Sequence, residues 1–502
     1  MAISSAFCPR SGRFDRISPR PCRLPFAVSL WSLDEQILRI IFTEKLGRRF
    51  VVQTWVRRPK VKKILPVVVF ALILFGVLSA FDLLNAFAQD VDFTSPKVSA
   101  LKKELETGNR AALESFWQDI IKLGTPLVEP LGNDDRHLLL TFLWRAKEET
   151  RNVVVAGGVA GMDFRENQMA RLLDTDLWYK TYKVRNDARF SYNLSVNDSL
   201  VPFERIDLTD QKAVLKRIST YKTDPLNSKN SLGVPPSSLV ELPGAPPQPW
   251  IKRSPDVPSG KIEEKRVKSA ILGNERKAWV YTPPGYKTDG EPYPLMVVFD
   301  GFAYTLLVPT PAILDNLLFK GLIPPMVAVV LDNPTPTSRN EEMPCNPRFA
   351  DFLAKEAVPW VRQNYHVSSS ASQTIVAGSS YGGLAATFAG FYHPEIFGNV
   401  ISQSASFWWK PKGDIEHEWL TRQFVASPRL PVRFYLDVGL METGPTPENG
   451  PSMVLVNRHM RDVLRAKGYF VHYAEFNGGH EYLNWRGTLA DALLVLVGKG
   501  AK

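Results

Sequence analysis

The pentapeptide Gly378-Ser379-Ser380-Tyr381-Gly382 is the feature that most constrains this chain. On its own G-x-S-x-G is a weak pattern, but here its flanks are informative. The apolar run Gln373–Ala377 before it predicts a buried strand, and Leu384–Tyr392 after it predicts a helix. A chain that passes from strand to helix in so few residues needs glycine where backbone segments crowd together. The central hydroxyl of Ser380 then projects from the turn. The amides at the start of the helix lie where negative charge develops on an attacked carbonyl.

The same alternation extends around the motif. Leu295–Phe299, Val327–Leu331, Thr374–Ala377, Val400–Ser402 and Arg433–Leu436 read as buried strands. Helical patterns such as Phe349–Gln363 and Val454–Ala466 lie between them. Residues 262–502 are therefore expected to form an α/β three-layer domain. Residues 95–222 differ. A short helix at Ala111–Leu123 precedes strand-like runs at His137–Trp144, Asn152–Ala156 and a Tyr/Val-rich stretch ending near Leu194, which suggests a small β-sandwich. Between the two units, Pro225–Pro258 carries nine prolines, so residues 223–261 read as an extended linker rather than a helix or central strand.

A serine hydroxyl needs a base. Of seven histidines, His480 follows the strand Phe470–Phe476 after Asn477-Gly478-Gly479, in the C-terminal loop where this architecture holds its base. The acid should lie between Arg433–Leu436 and His480. Asp437 and Glu442 both fit. An acid still within the strand is less free to reach an imidazole, so Glu442 is preferred and Asp437 is the second choice. For the oxyanion, Leu295–Phe299 runs into Asp300-Gly301, which places the amide of Phe302 to pair with that of Tyr381.

Charge and cysteine content narrow the field further. The formal charge of +10 arises wholly in residues 1–63, with 14 basic against 4 acidic residues. From Gln89 onward there are 47 basic and 46 acidic residues, so no nucleic-acid footprint is expected. Cys8, Cys22 and Cys345 have no metal-binding spacing, and the main body, with one thiol, has no internal disulfide to form. Cys345 reads as a packing residue. Ile64–Phe81 is an uncharged apolar run, preceded by Arg57, Arg58, Lys60, Lys62 and Lys63 and followed by Ala86-Phe87-Ala88. Residues 64–88 therefore read as a secretory signal peptide, with a membrane anchor through 64–81 as the alternative. Export to the periplasm or another extracytoplasmic space follows, and membrane association is expected only through that segment. Residues 1–63 form a basic prefix, and a start placed too far upstream is one explanation for residues 1–56.

With these residues in view, a specific resemblance emerges. Val376-Ala-Gly-Ser-Ser-Tyr-Gly-Gly383, Ser402-Gln-Ser-Ala-Ser-Phe-Trp-Trp409, Gly478-Gly-His-Glu-Tyr-Leu-Asn-Trp-Arg486 and Arg339-Asn-Glu-Glu-Met-Pro-Cys-Asn346 resemble the enterochelin (enterobactin) esterase family. So do Glu241-Leu-Pro-Gly-Ala-Pro-Pro-Gln-Pro249, Phe142-Leu-Trp-Arg145 and Asp176-Leu-Trp178 upstream, which extends the likeness over about residues 110–500 and through the family's N-terminal domain. The resemblance implies an α/β-hydrolase fold and hydrolysis of the ester bonds of ferric catecholate siderophores. It implies no cofactor, iron entering only within the substrate. Carried over by motif, Ser380 is the nucleophile, His480 the base, Glu442 the acid, and Phe302 and Tyr381 the oxyanion donors. Arg339 matches a family position suited to an anionic ferric complex, and Trp408 and Trp409 offer faces to catechol rings. Two other readings stay open. One is an exported esterase or acyltransferase for other aryl or carbohydrate esters. The other is a siderophore-binding module without catalysis.

Overall fold

A computed structural model describes residues 93–161, 164–201, 210–231 and 236–500. The basic prefix and the segment 64–88 lie outside the described residues.

The N-terminal portion begins with α1 (Pro96–Glu106) and α2 (Ala111–Leu123). Pro96 opens α1 where its missing N–H costs nothing, and Ser95 caps it by accepting from the Val98 amide. Its buried stripe of Val98, Leu101 and Leu105 meets Trp117 and Ile120 of α2. Then come β1 (Leu127–Leu131), β2 (Asp134–Arg145), β3 (Val153–Ala156), β4 (Ala170–Arg171), β5 (Leu177–Arg185), β6 (Arg189–Val196), α3 (Gln211–Ile218), β7 (Tyr221–Lys222) and β8 (Ser238–Glu241). One sheet runs β1-β2-β5-β4; in the other, β6 pairs with β3, β7 and β8. Leu140, Phe142, Val155, Trp178, Phe190 and Tyr192 meet between the two sheets. Burying each such side chain contributes about 1.5–3 kcal/mol.

Two departures from the sequence expectation have clear causes. Pro130 disguises β1, but β1 is an edge strand, where a missing N–H is tolerated, and its register slips between Pro130 and Leu131. The stretch expected as linker is also partly strand. Ser238-Leu239-Val240-Glu241 lies in a proline-free window and alternates buried and less buried positions. It pairs antiparallel with Arg189–Tyr192 and sends Val240 and Leu242 into the N-terminal core. The unit that begins near residue 95 thus continues to Leu242 rather than ending at 222.

The C-terminal portion is one eight-stranded sheet flanked by helices. It contains β9 (Lys261–Ser269), β10 (Asn274–Thr282), β11 (Leu295–Val298), α4 (Gly301–Leu306), α5 (Thr310–Phe319), β12 (Val327–Leu331), α6 (Pro336–Glu342), α7 (Pro347–Phe352), α8 (Val358–Asn364), β13 (Thr374–Ser379), α9 (Tyr381–Tyr392), β14 (Asn399–Gln403), α10 (Trp419–Ala426), β15 (Arg433–Gly439), α11 (Met453–Ala466), β16 (Phe470–Phe476) and α12 (Tyr482–Val497). The strand order is β16-β15-β14-β13-β11-β12-β10-β9. From β12 to β16 neighbouring strands are parallel, while β9 and β10 are antiparallel. This is the α/β-hydrolase arrangement. The central strands β11 to β14 are buried on both faces, as their unbroken apolar runs require. The helix expected over Phe349–Gln363 is interrupted by a π-helical turn at Leu353–Ala357. Pro359, just beyond it, has no N–H to continue a regular ladder, which accounts for the break.

Candidate active site

Parallel strands bring their C-terminal ends to one side of the sheet, and the loops that follow β11, β13, β14, β15 and β16 meet there. Ser380 sits between β13 and α9 with φ 58° and ψ −123°, a conformation that L-residues rarely adopt. The turn is also tight. A Cβ at Gly378 would lie 2.6 Å from the backbone of Gly382, so glycine is sterically required at that position.

The loop after β15 turns the chain so that Glu442 faces back toward the sheet. Gly439 makes this possible, since a Cβ there would lie 2.4 Å from the Gly478 carbonyl oxygen and 2.8 Å from Glu442 Oε1. Glu442 Oε2 lies 2.6 Å from His480 Nδ1. Its Oε1 accepts from the Gly439 amide at 2.8 Å and from Ser404 Oγ at 2.6 Å. Glu442 is buried, whereas the His480 side chain is 39% exposed. The imidazole therefore has one nitrogen on a fixed carboxylate and an open side toward solvent. Asp437 takes a different position. It is fully buried within β15 and accepts from the Ser404 amide at 3.2 Å. Burial pushes its carboxyl up to about 7, against the opposing pull of its hydrogen bonds. The other histidines are engaged elsewhere. His137 bonds Asp134, His366 bonds the Gly290 carbonyl, and His393 bonds Asp351 and Glu395. His417 bonds the Trp408 carbonyl, His459 bonds Glu418, and His472 stacks on Tyr435.

Ser380 and His480 share the wall of a cavity of about 1020 Å³. The Ser380 hydroxyl bonds Ser406 Oγ at 3.4 Å, and among the described residues it makes no hydrogen bond to His480. Catalytic groups of this kind often stand loosely and tighten only around substrate. Tyr381 opens α9 and Phe302 lies in the first turn of α4, at the ends of the adjacent strands β13 and β11. The Asp332 carboxylate lies close to the Phe302 amide and interacts with it. Trp408 lines the cavity, with its ring 5.9 Å from that of Tyr381. Trp409 does not line it and packs edge-on against Trp419.

Arg339 is already paired. Its Nε and Nη2 reach the two oxygens of Asp300 at 2.6 and 2.8 Å, and Asn333 bonds the same carboxylate. Burial opposes the guanidinium charge, but Asp300 outweighs it and raises the pKa. Asp300 is itself 7% exposed and left-handed at φ 57°, next to the Phe302 turn. The Arg339 side chain is 24% exposed, so the cost of breaking the pair falls below that of a wholly buried one. Arg339→Met is accordingly expected to lower stability by about 2–3 kcal/mol and to slow turnover of charged and neutral esters alike. Urea midpoints and parallel assays check this; an unchanged midpoint would show that Asp300 does not need the arginine.

The far wall of the cavity is a feature that the motifs did not reveal. Gly157, Gly158, Ala160, Phe164 and Arg165 come from the N-terminal portion. The contact runs through β6. The Arg189 amide donates to the Asn477 carbonyl at 2.9 Å, and the Ser191 amide donates to Glu481 at 3.0 Å. Asn477 Nδ2 donates to Asp187 at 2.8 Å, and Met441 packs on the N-terminal core. The loop that carries His480 is thus tied to the N-terminal sheet on both sides of the histidine. Nothing in the sequence near Arg189 signals this, because the partners are about 290 residues apart.

Two family models match the chain. The one described as enterochelin esterase, N-terminal, covers residues 139–251, and the Esterase model covers residues 269–496. The iron(III) enterobactin esterase of Escherichia coli O6:H1 is 32% identical, across 78% of this chain and 98% of its own length. The iron(III) enterobactin esterase of Dickeya dadantii is 30% identical, across 76% of this chain and 92% of its own length. Among solved structures, the enterobactin esterase from Shigella flexneri, crystallised in the presence of enterobactin, aligns with a TM-score of 0.59 at 28% identity. That alignment covers 76% of this chain and 97% of the other. The likeness spans both portions of the molecule, and the chain belongs to the enterochelin (enterobactin) esterase family.

Proposed function

We propose that this protein is a serine esterase that hydrolyses the ester bonds of a ferric catecholate siderophore such as enterobactin, and so frees the iron. The observation that carries this reading is the 2.6 Å hydrogen bond from His480 to Glu442 in the same cavity wall as the strained Ser380 turn. In the first step Ser380 Oγ attacks the ester carbonyl while His480 Nε2 takes its proton, and Glu442 holds the opposite nitrogen as N–H. The carbonyl oxygen, now negative, is assigned to the amide of Tyr381 and, on its release from the Asp332 carboxylate, to that of Phe302. Collapse expels the alcohol, which takes the proton back from His480 and leaves an acyl-serine. Water then repeats the sequence, with His480 as its base, and releases the acid. Every proton is moved by the chain's own residues, and no cofactor is assigned. Iron is part of the substrate.

The names of the relatives support the substrate, and the roughly 1020 Å³ of the cavity exceeds what a small ester needs. The direct test incubates the purified protein with ferric enterobactin, an aryl acetate and an acetylated sugar. Release of linear dihydroxybenzoylserine products, at a kcat/KM well above that for the other two esters, is the expected result. Preference for the sugar or aryl ester would replace the siderophore with a simpler substrate. We further propose that the reaction takes place outside the cytoplasm, on the strength of the Ile64–Phe81 run and the Ala86-Phe87-Ala88 site. Fractionation should find a protein that begins near Gln89; a full-length cytoplasmic protein would remove the export proposal alone.

A further inference from the structure

The loop after β14 touches both the serine turn and the acid. The Ser380 amide donates to the Gln403 carbonyl at 2.9 Å, and the Ser406 amide donates to the Ser380 carbonyl at 3.1 Å. Between these two residues lies Ser404, fully buried and left-handed at φ 41°. A serine held in that backbone region, where glycine would rest more easily, suggests that its side chain is needed. What that side chain does can be read from its partners.

Ser404 Oγ has two of them. Trp485 Nε1 lies 3.1 Å away and is a donor only. The hydroxyl must therefore accept from the indole, and its one proton is left for Glu442 Oε1 at 2.6 Å. The direction of the chain is fixed: indole N–H to hydroxyl, hydroxyl to carboxylate. With Ser404 and the Gly439 amide both on Oε1, Glu442 presents Oε2 to His480 Nδ1. The indole also packs edge-on against the imidazole, with ring centroids 4.9 Å apart. Trp485, Ser404, Glu442 and His480 thus close a ring of contacts around the acid–base pair. The frame behind it is rigid, because Gln403 is held by Tyr304, Thr488 and the Trp485 carbonyl.

We infer that Ser404, oriented by Trp485, is the positioning residue that locks Glu442 in the one rotamer that addresses His480. The inference rests on the esterase reading above. Without the hydroxyl, Oε1 keeps only the Gly439 amide, and the carboxylate can swing off the imidazole. Ser404 touches neither substrate nor the reacting atoms, so its loss should lower kcat and leave KM alone.

The test is Ser404→Gly in the full-length protein, assayed on 4-nitrophenyl acetate. Glycine removes the hydroxyl and also relieves the φ 41° backbone. The melting temperature should hold or rise while kcat falls about 10- to 100-fold, the value of one hydrogen bond to a charged group, with KM within about threefold. A purely structural serine would lose stability and activity together. Trp485→Phe keeps most of the ring packing and removes the N–H; it should show a smaller loss that is not additive with Ser404→Gly. Most decisively, Ser404→Gly introduced into Glu442→Ala should cost nothing further. Losses that multiply in that double variant would overturn the positioning role, as would a Ser404→Gly enzyme with unchanged kcat. Ser380→Ala is run alongside. If it stays active, the esterase reading fails; if it is dead and Ser404→Gly is fully active, only the positioning inference fails.

Discussion

Ser380→Ala and His480→Ala should each reduce kcat on any ester by about 10⁴-fold or more, because nucleophile and base act as one unit and either loss removes the whole covalent route. Neither change should unfold the protein. His480 is 39% exposed on its side chain, and alanine at 380 meets the same φ of 58° that serine meets now. A Ser380→Gly variant extends the argument. Relief of that backbone should raise stability by about 1 kcal/mol while activity is equally lost. Turnover and urea midpoints on the same preparations separate the two effects. An alanine variant that kept activity within tenfold of the parent would refute the nucleophile assignment. Ser379 is a poor substitute, since it is fully buried at the end of β13.

How far the sequence led depends on how local each signal was. The serine turn was legible because strand, glycines and helix lie within about twenty residues, and each obeys a rule of backbone sterics. His480 and Glu442 were legible by their order after β15 and β16, since a parallel sheet delivers successive loops to one edge. The preference for Glu442 over Asp437 rested on the same geometry, and the structure puts Glu442 on the imidazole and Asp437 inside the sheet. Arg339, Trp408 and Trp409 came only through family likeness, and their surroundings are not alike: Arg339 is tied to Asp300, Trp409 packs against Trp419, and Trp408 alone lines the cavity. Pairing partners distant in sequence were invisible. The strand Ser238–Glu241 was hidden by neighbouring prolines, and the hold of β6 on the His480 loop has no periodicity to betray it. Ser404 was hidden for another reason. One serine in a Ser-rich loop looks like any other until its two hydrogen bonds are seen.

The two carboxylates near the site should respond in opposite ways to amide substitution. Glu442→Gln keeps the shape but replaces the acceptor that holds His480 Nδ1–H, so the imidazole can settle in the wrong tautomer; kcat should fall by about 10³- to 10⁴-fold. Asp437→Asn keeps an oxygen for the Ser404 amide and should leave kcat within a few-fold. Its effect lies in stability. Burial raises the Asp437 carboxyl to about 7 in the folded protein, whereas an unfolded chain releases that proton near 4. Between those pH values the folded state binds the extra proton, so stability falls as pH rises, by up to about 4 kcal/mol across the window. Asparagine mimics the protonated form at every pH and removes that slope. Relative to the parent, Asp437→Asn should therefore gain stability from pH 4.5 to about pH 7 and level off above it, as read from urea midpoints. A parallel pH dependence in both proteins would mean that Asp437 is ionised throughout and paired more strongly than its surroundings indicate. If instead Asp437→Asn proved the slower enzyme and Glu442→Gln the faster, the two carboxylates would exchange roles, and the hydrogen bond from His480 to Glu442 would be structural rather than catalytic.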